Sequence, residues 1–404
     1  MRVLLSAYAC EPNRGSEPEV GWQRALHMLA YADEVWVLTR SNNQSVIEAE
    51  PVSHSNGLHF IYYDLPGWAL KLKRNAWFMR AYFVLWQWGA YREAARWHRD
   101  RPFDCVYHVT FASMQFGSFM GRLEIPFVIG PIGGGERAPF RLRWGLPIRS
   151  QATELLRDLG ILLQRCSPIS RSAFSAADRI YVTTTASLTL VPRKWRFKTA
   201  VRQAIATSDC SAQPIERQRP ELPRFVYAGN LIYWKGAHLA IRALAEVRAV
   251  IPGATLTLVG NGSSDKWLRS LAEQCGVSDA VEFAGRIPHA QLINIIGSYT
   301  ALVFPSFHDS GGLVVLEALS RGIPVVCLDL GGPGIIVNAS CGVVVPTAGA
   351  DEQSTVTRIA DAMTLLGKMT DDKSAKLSQR AIARANELSW ENLTETLSRV
   401  TDLV

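Results

Sequence analysis

The chain has 404 residues, 48% hydrophobic and 20% charged, a composition typical of a globular protein with room for two domains. Its formal net charge of +7 indicates an anionic partner. A nucleotide or an anionic lipid surface fits better than a nucleic acid, because no nucleic-acid-binding signature is present. No uncharged apolar run reaches the length of about 18 residues that a transmembrane helix needs. The seven cysteines form no Cys-x-x-Cys pair, which predicts reduced core thiols in a cytosolic protein.

The first half of the chain alternates apolar runs with helical segments. It begins with a buried strand at 2–8, where the apolar run is too short for a secretory signal. Further strands are predicted at 34–39, 58–63, 104–110, 126–130 and 179–184. This spacing predicts a parallel sheet that binds ligands at the carboxyl ends of its strands. The loop with Gly15 and Ser16 lacks the GxGxxG pattern, which argues against a dinucleotide enzyme.

Residues 68–99 combine aromatic and basic side chains and contain one acid, Glu93. The aromatic members are Trp68, Trp77, Phe78, Tyr82, Phe83, Trp86, Trp88, Tyr91 and Trp97. The basic members are Lys71, Lys73, Arg74, Arg80, Arg92, Arg96 and Arg99. Tryptophans mixed with cations on a helix favour contact with an anionic membrane surface. The alternative is a core helix whose aromatic side chains pack inward while the basic ones are solvated.

Two features at predicted strand ends are candidates for a binding site. One is His108. The alternative for this residue is a core histidine whose hydrogen bonds are made within the protein. The other is the run of three glycines before Glu136, which lets the backbone approach a ligand closely or simply forms a tight connection. Residues 136–150 add a second loop rich in basic and aromatic residues.

The periodicity stops at 206–222, where a polar, proline-bearing stretch predicts a linker. It separates an N-terminal domain, 1–205, from a C-terminal domain, 223–385. Residues 386–404 are predicted to form a helix that packs back across the domains. Strands of the second domain are predicted at 224–228, 255–259, 281–283, 301–304 and 324–328.

Residues 301–334 predict a strand, a turn, a helix, a second strand and a glycine loop. Gly311 and Gly312 precede the helix, whose first amides are free to bind an anion. Asp309 in the turn would hold sugar hydroxyls, and Glu317 in the helix would reach a ribose. The alternative is an ordinary α/β unit with acids on its surface.

Several motifs together resemble the group 1 (family 4) glycosyltransferases. They are Asp309 and Glu317 ahead of the strand at 324–328, Gly229-Asn230-Leu231 with Lys235-Gly236, and Phe283-Ala-Gly-Arg286. The N-terminal stretches SAYACEP, GSEPEVGW, YHVTF and GPIGGGE are similar to a subset found in bacterial exopolysaccharide clusters. The resemblance covers nearly the whole chain. It implies the α/β GT-B fold, with two facing, doubly wound, Rossmann-like domains that bind a nucleotide-sugar.

The resemblance also implies roles for individual residues. Lys235 would pair with the donor diphosphate and Glu317 with the nucleotide ribose. His108 and Asp309 would lie at the transferred sugar and complete the catalytic set with Lys235. Further donor contacts would come from Gly15, Ser16, Asn230, Arg286, Gly311, Gly312 and Leu313. Glu136 is predicted to contact the acceptor.

Two positions depart from the family pattern. Asn230 stands where an arginine is usual, so one diphosphate charge is missing unless Arg286 supplies it. Asp309 stands where a glutamate is usual, which shortens the reach by about 1.5 Å. A charge-assisted hydrogen bond lost from such a site costs about 1.5–3 kcal/mol, so weaker donor binding is expected rather than loss of activity.

The resemblance implies a hexosyltransferase that retains the anomeric configuration. The sequence contains no Asp-x-Asp pair for a cation, which agrees with a metal-independent site. The donor would be a UDP- or GDP-sugar and the acceptor lipid-linked or a saccharide, in surface polysaccharide or exopolysaccharide biosynthesis. No cofactor is expected, because the nucleotide-sugar is a co-substrate. The enzyme would be cytoplasmic, at the inner face of the cell membrane. The alternatives are a sugar-nucleotide epimerase of the same fold and a degenerate sugar-nucleotide-binding scaffold.

Overall fold

The computed structural model describes residues 1–70, 76–111, 114–164, 167–207 and 220–393. They form two units, each built on a parallel sheet. Unit 1 comprises residues 1–135 and 160–205, and unit 2 comprises residues 136–159 and 206–392. None of the helices in these described ranges is long and apolar enough to cross a membrane.

Unit 1 contains a seven-stranded sheet with the order β3-β2-β1-β4-β5-β6-β7, in which all neighbours are parallel. Its strands are β1 (Arg2–Ala7), β2 (Glu34–Thr39), β3 (Leu58–Tyr62), β4 (Cys105–Thr110), β5 (Phe127–Ile132), β6 (Arg179–Val182) and β7 (Thr199–Val201). The central strands are continuous buried apolar runs, as expected for a parallel sheet covered on both faces.

The helices in the first half of the chain are α1 (Ser16–Met28), α2 (Gln44–Glu48), α3 (Gly67–Leu70), α4 (Ala76–Asp100), α5 (Ile148–Gln164), α6 (Pro168–Ala176) and α7 (Thr185–Leu190). The first part of α5, as far as Leu159, belongs to unit 2. Serine and threonine N-caps begin α6 and α7, where Ser167 and Thr184 accept a backbone amide.

Unit 2 contains a six-stranded sheet with the order β10-β9-β8-β11-β12-β13, again with parallel neighbours. Its strands are β8 (Arg224–Ala228), β9 (Thr255–Val259), β10 (Val281–Gly285), β11 (Ala301–Phe304), β12 (Val325–Leu328) and β13 (Gly342–Val345). Its helices are α8 (Ala237–Val250), α9 (Asp265–Gln274), α10 (His289–Ile296), α11 (Leu313–Ser320), α12 (Pro333–Ile336), α13 (Glu352–Gly367) and α14 (Asp371–Glu387).

The strand predictions for both halves are confirmed, with β7 and β13 in addition. Most of the predicted linker, 208–219, and the end of the predicted C-terminal helix, 394–404, lie outside the described residues. The segment 136–159, which the sequence places in the N-terminal domain, packs within unit 2. It does so because Glu154 and His308 approach each other in the interior of that unit.

Helix α4 buries three of the nine aromatic residues predicted for membrane contact. Tyr82, Phe83 and Trp86 are buried in the core of unit 1, whereas Trp68 and Trp88 are exposed. Nothing is described for Lys71, Lys73 and Arg74, and the side chains of residues 76–80 are likewise outside the described set. The inward-packing alternative therefore holds for the middle of α4.

The thiols of Cys10, Cys105, Cys327 and Cys341 are buried and unpaired, and that of Cys275 is half-buried. Burial raises the pKa of Cys105 to about 12, so this thiol stays protonated and unreactive at neutral pH. Cys166 and Cys210 lie outside the described residues.

Candidate functional site

The strand order of unit 2 brings two loops together. The chain runs outward from β8 in one direction and from β11 in the other, so the carboxyl ends of these two neighbouring strands form the switch point of the sheet. The loop after β8 ends at Gly236, and the loop after β11 begins at Pro305. A Cβ atom on Gly236 would lie 1.9 Å from the Pro305 carbonyl oxygen, and its φ is +80°, so only glycine permits this approach.

Lys235 and Asp309 meet where these loops touch. The Lys235 ammonium forms an ion pair with Asp309 Oδ2. Asp309 Oδ1 accepts hydrogen bonds from the backbone amides of Gly311 (3.1 Å) and Gly312 (2.9 Å) at the start of α11. One ammonium and two amides therefore converge on a single carboxylate. We call these three donors the anion site, because a carboxylate already occupies the position that they surround.

A glycine loop holds the backbone of Asp309 in place. The amide of Gly332 donates to the Asp309 carbonyl oxygen (2.6 Å). A Cβ atom on Gly331 would lie 2.1 Å from the same oxygen. The glycines after β12 therefore allow the turn that carries Asp309 to be packed tightly from behind.

Glu317 lies further along α11. It is 14% exposed, and its Oε1 is 2.7 Å from Nε2 of His289, which is 69% exposed at the start of α10. The carboxylate is therefore close to solvent but held by a neighbour. Leu313, the first residue of α11, is half-buried, and Arg286 and Asn230 are exposed just after β10 and β8.

The predicted site residues of the first unit lie on β1, β4 and the loops that follow them. Gly15 has φ +65° and precedes α1, which Ser16 begins. His108 is fully buried, and its Nδ1 is 3.0 Å from Ser6 Oγ on the neighbouring strand β1. Its Nε2 has no hydrogen-bond partner among the described residues. Burial lowers the pKa of His108 to about 4, so the ring is neutral at physiological pH.

Glu136 is assigned to unit 2 and is buried. Its carbonyl oxygen accepts a hydrogen bond from Arg157 Nη2 (3.2 Å). The glycine before it, Gly135, donates its amide to Ser187 Oγ (3.1 Å) in unit 1. The glycine run is thus a tight connection at Gly135, while the predicted acceptor contact of Glu136 stays a prediction.

A buried polar cluster, which the sequence analysis did not predict, lies directly behind the anion site. Glu154 is 0% exposed; its Oε1 accepts a hydrogen bond from the Tyr233 hydroxyl (3.0 Å), and its Oε2 is 3.0 Å from His308 Nε2. The Ala138 amide nitrogen is also 3.0 Å from this ring nitrogen, which cannot accept from the amide while it donates to Glu154. Arg143 Nε is 4.0 Å from Glu154 Oε2. Since Tyr233 and His308 are neighbours of Lys235 and Asp309 along the loops, this cluster positions both.

The titration of this cluster follows from its contacts. Burial alone raises the pKa of Glu154, but the contacts with His308 and Tyr233 outweigh it and hold the pKa below the ordinary value. Burial lowers the pKa of His308. An ionised glutamate beside a neutral histidine is therefore the state at neutral pH. Nothing in the local sequence marks Glu154, because its partners are far along the chain.

Acid is expected to destabilise the protein through its buried histidines. His108 and His238 are fully buried, with pKa values lowered to about 4 and about 3 by burial. The unfolded chain, with an ordinary histidine pKa of about 6.5, binds protons at higher pH than the folded one. The free energy of unfolding should therefore not depend on these histidines above a pH of about 6.5. As the pH falls from there towards the folded-state pKa, it should decrease by about 1.4 kcal/mol per pH unit for each histidine.

Urea unfolding at a series of pH values would measure this slope. His238→Phe keeps the packing against Trp267 and Phe307 and should lower the slope, whereas His54→Gln at an exposed position should leave it unchanged. Equal slopes in the wild type and His238→Phe would contradict the assignment.

Among the described residues, no group of three or more histidine, cysteine, aspartate or glutamate side chains is arranged to hold a metal ion. The groups described at the site are the Lys235 ammonium, the amides of Gly311 and Gly312, and the carboxylates of Asp309 and Glu317.

Solved structures with the same architecture cover nearly the whole chain. A glycosyltransferase from Rickettsia africae matches with a TM-score of 0.62 at 12% identity, covering 100% of this chain and 98% of that one. The lipopolysaccharide outer core galactosyltransferase WaaB matches with a TM-score of 0.61 at 12% identity over 99% of both chains. Anabaena Alr3699/HepE, in complex with UDP and glucose, matches with a TM-score of 0.58 at 16% identity over 100% of both chains. The α/β fold of this chain is therefore GT-B.

The sequence comparisons cover part of the chain. Residues 212–384 match the family model described as "Glycosyl transferases group 1". The glycogen synthase of Mycobacterium tuberculosis is 31% identical over 208 residues, 50% of this chain and 47% of that protein. A GDP-mannose-dependent mannosyltransferase of Corynebacterium glutamicum is 32% identical over 181 residues, 42% of this chain and 45% of that protein. The chain spans about half the length of the curated relatives it matches. Its residues 212–384 belong to the group 1 glycosyltransferases.

Proposed function

We propose that this protein is a glycosyltransferase that moves a sugar from a nucleotide-sugar to an acceptor. The observation that carries the proposal is the anion site, where an ammonium and two helix-start amides converge at the switch point of unit 2. Such donors suit a diphosphate, and Glu317 on the same helix suits a ribose. The relatives support this reading, since one is named as GDP-mannose-dependent and one solved structure contains UDP and glucose.

In this proposal the donor diphosphate displaces the Asp309 carboxylate from Lys235 and from the amides of Gly311 and Gly312. Asp309 is then free to accept hydrogen bonds from hydroxyls of the transferred sugar. Leu313, Asn230 and Arg286 border the donor. The family resemblance assigns Gly15, Ser16 and His108 to the donor and Glu136 to the acceptor.

The reaction breaks the bond between the anomeric carbon and the diphosphate oxygen and forms one from that carbon to an acceptor hydroxyl oxygen. We propose retention of configuration, with attack on the face from which the diphosphate departs. The acceptor proton passes to the departing diphosphate oxygen. Lys235 and the two amides stabilise the negative charge that develops there, so that no metal ion is required.

For the acceptor we propose a lipid-linked or other saccharide in surface polysaccharide or exopolysaccharide synthesis. The enzyme would act at the cytoplasmic face of the membrane, in contact with anionic lipid. The net charge of +7 supports such a location. A sugar-nucleotide epimerase would instead consume the donor without an acceptor, and a binding scaffold would bind it without product.

Glu317→Gln is expected to weaken binding of nucleotides by about tenfold to a hundredfold, the cost of one charged hydrogen bond. Thermal-shift titrations with UDP, GDP and their sugar derivatives would measure this, because a ligand that binds the folded state raises the melting temperature by mass action. Inorganic pyrophosphate has no ribose, so its binding should be unchanged in this variant. Glu282→Gln, at an exposed acid on β10, is the matched control. Unchanged UDP and GDP binding in Glu317→Gln would reject the ribose assignment.

A further inference from the structure

Helix α5 directs its apolar face to solvent and its polar face to the protein. Six aliphatic side chains along it are each 52–85% exposed: Ile148, Leu155, Leu156, Leu159, Leu162 and Leu163. At 3.6 residues per turn they fall within an arc of about 120°. The opposite side carries Glu154 and Ile161, which are buried. A surface helix ordinarily buries its apolar stripe, so this one is oriented for a partner outside the chain.

The loop before α5 extends the same kind of surface. Phe140 and Trp144 are 63% and 72% exposed, and their rings meet edge to face with centroids 6.2 Å apart. Between them, Leu142 and Arg143 are buried, and Arg143 Nε donates to the Ala138 carbonyl oxygen (2.9 Å). The two aromatic rings are therefore exposed by a fixed local structure. We call the six aliphatic and two aromatic side chains the docking face.

The exposed charges of residues 137–164 are all basic. The exposed members are Arg137, Arg141 and Arg149. The acids of the same region are turned away: Glu154 is buried, and Asp158 forms an ion pair with Arg143 (2.7 Å). An apolar stripe with aromatic residues at one end and cations at its border is the pattern of a helix that lies in a membrane interface.

We propose that α5 and the loop before it seat this protein on an anionic bilayer, with the docking face among the lipid headgroups and upper acyl chains. A second copy of the chain fits less well, because a two-fold interface sets the same surface against itself and would bring arginine beside arginine. Anionic headgroups neutralise these cations, and the acyl region takes the leucines.

This proposal refines the membrane part of the proposed function and moves the contact from residues 68–99 to α5. Glu154 on the inner side of α5 belongs to the polar cluster behind the anion site, so the same helix faces the bilayer and supports the donor loops. Vesicle binding can be measured without donor or acceptor, so it can fail while the proposed transfer reaction stands.

The test is co-sedimentation of the full chain with vesicles of phosphatidylcholine and phosphatidylglycerol. Leu155→Ser with Leu159→Ser is expected to lower the partition coefficient by at least about tenfold, because two leucines leave the acyl region. Leu365→Ser, at a leucine 59% exposed on α13, is the matched control and should bind like the wild type. Arg141→Glu with Arg149→Glu should weaken binding to these vesicles and change binding to pure phosphatidylcholine little. Melting temperatures should stay near that of the wild type, because the replaced side chains are exposed.

Three outcomes would overturn the proposal. The first is a leucine variant that binds these vesicles as well as the wild type. The second is loss of binding only on charge reversal of Lys71, Lys73 and Arg74, which would assign the contact to residues 68–99. The third is a wild-type protein that does not bind vesicles but forms dimers by light scattering, while the leucine variant is monomeric.

Discussion

Lys235→Ala is expected to lower the rate of sugar transfer by about 10²–10³-fold, the loss measured when one preorganised donor to a developing charge is removed. Lys235 is the cation of the anion site, and in the absence of a donor it is paired with Asp309. The ammonium must exchange this carboxylate for the diphosphate when the donor binds. Since charge on the diphosphate grows as the sugar departs, the interaction strengthens in the transition state, and kcat should fall more than KM rises.

Lys235→Ala is expected to lower the free energy of unfolding by about 1–3 kcal/mol, because the pair is mostly buried while Asp309 keeps its hydrogen bonds from Gly311 and Gly312. Lys376→Ala, which breaks an exposed pair with Asp372 (2.9 Å) on α14, is the matched control and should leave both kcat and KM unchanged. Lys235→Ala should weaken the binding of both UDP and pyrophosphate. Glu317→Gln, in contrast, should weaken the binding of UDP only. Transfer at the wild-type rate in Lys235→Ala would reject the assignment.

The anion site was predictable because most of it is local in sequence. A buried strand, a turn with two glycines and a short helix place the free amides of Gly311 and Gly312 next to Asp309 whatever the rest of the chain does. The ion pair with Lys235 was not predictable in this way. It depends on β8 and β11 being neighbours in the sheet, and the sequence pattern predicts strands without their order. The predicted role of Asp309 as a holder of sugar hydroxyls remains a prediction.

The packing of residues 136–159 within unit 2 could not be predicted from the sequence. Within this segment, residues 136–150 are interpreted as a loop rich in basic and aromatic residues, which does not show which residues of the segment are buried. That choice is made by Glu154, whose partners Tyr233 and His308 lie on loops of the other half of the sequence. The strands β7 and β13 escaped prediction for a simpler reason. Each has only three or four residues at the edge of a sheet and is partly exposed, so the apolar signal of each strand is short: Thr-Ala-Val in β7 and three valines in β13.

Glu154→Ala is expected to lower the free energy of unfolding by about 3–5 kcal/mol, the range found when one partner of a buried ionic cluster is removed. The carboxylate is 0% exposed, and its loss leaves the Tyr233 hydroxyl and His308 Nε2 without their buried acceptor, whereas Arg143 keeps its ion pair with Asp158. Urea unfolding would measure the change. Asp279→Ala, which breaks an exposed pair with Arg248 (2.8 Å), is the control and should cost less than about 1 kcal/mol.

The same substitution should also reach the donor site. Tyr233 lies two residues before Lys235, and His308 lies directly before Asp309. If these two side chains lose their contacts with Glu154, the loops that carry Lys235 and Asp309 can move apart. The KM for the nucleotide-sugar should therefore rise. Glu154→Gln keeps the shape and the hydrogen bond from Tyr233, so its stability should lie between those of the alanine variant and the wild type. If Glu154→Ala were as stable as the control, apolar contacts alone would hold residues 136–159 in unit 2. The polar cluster would then have no part in positioning the anion site.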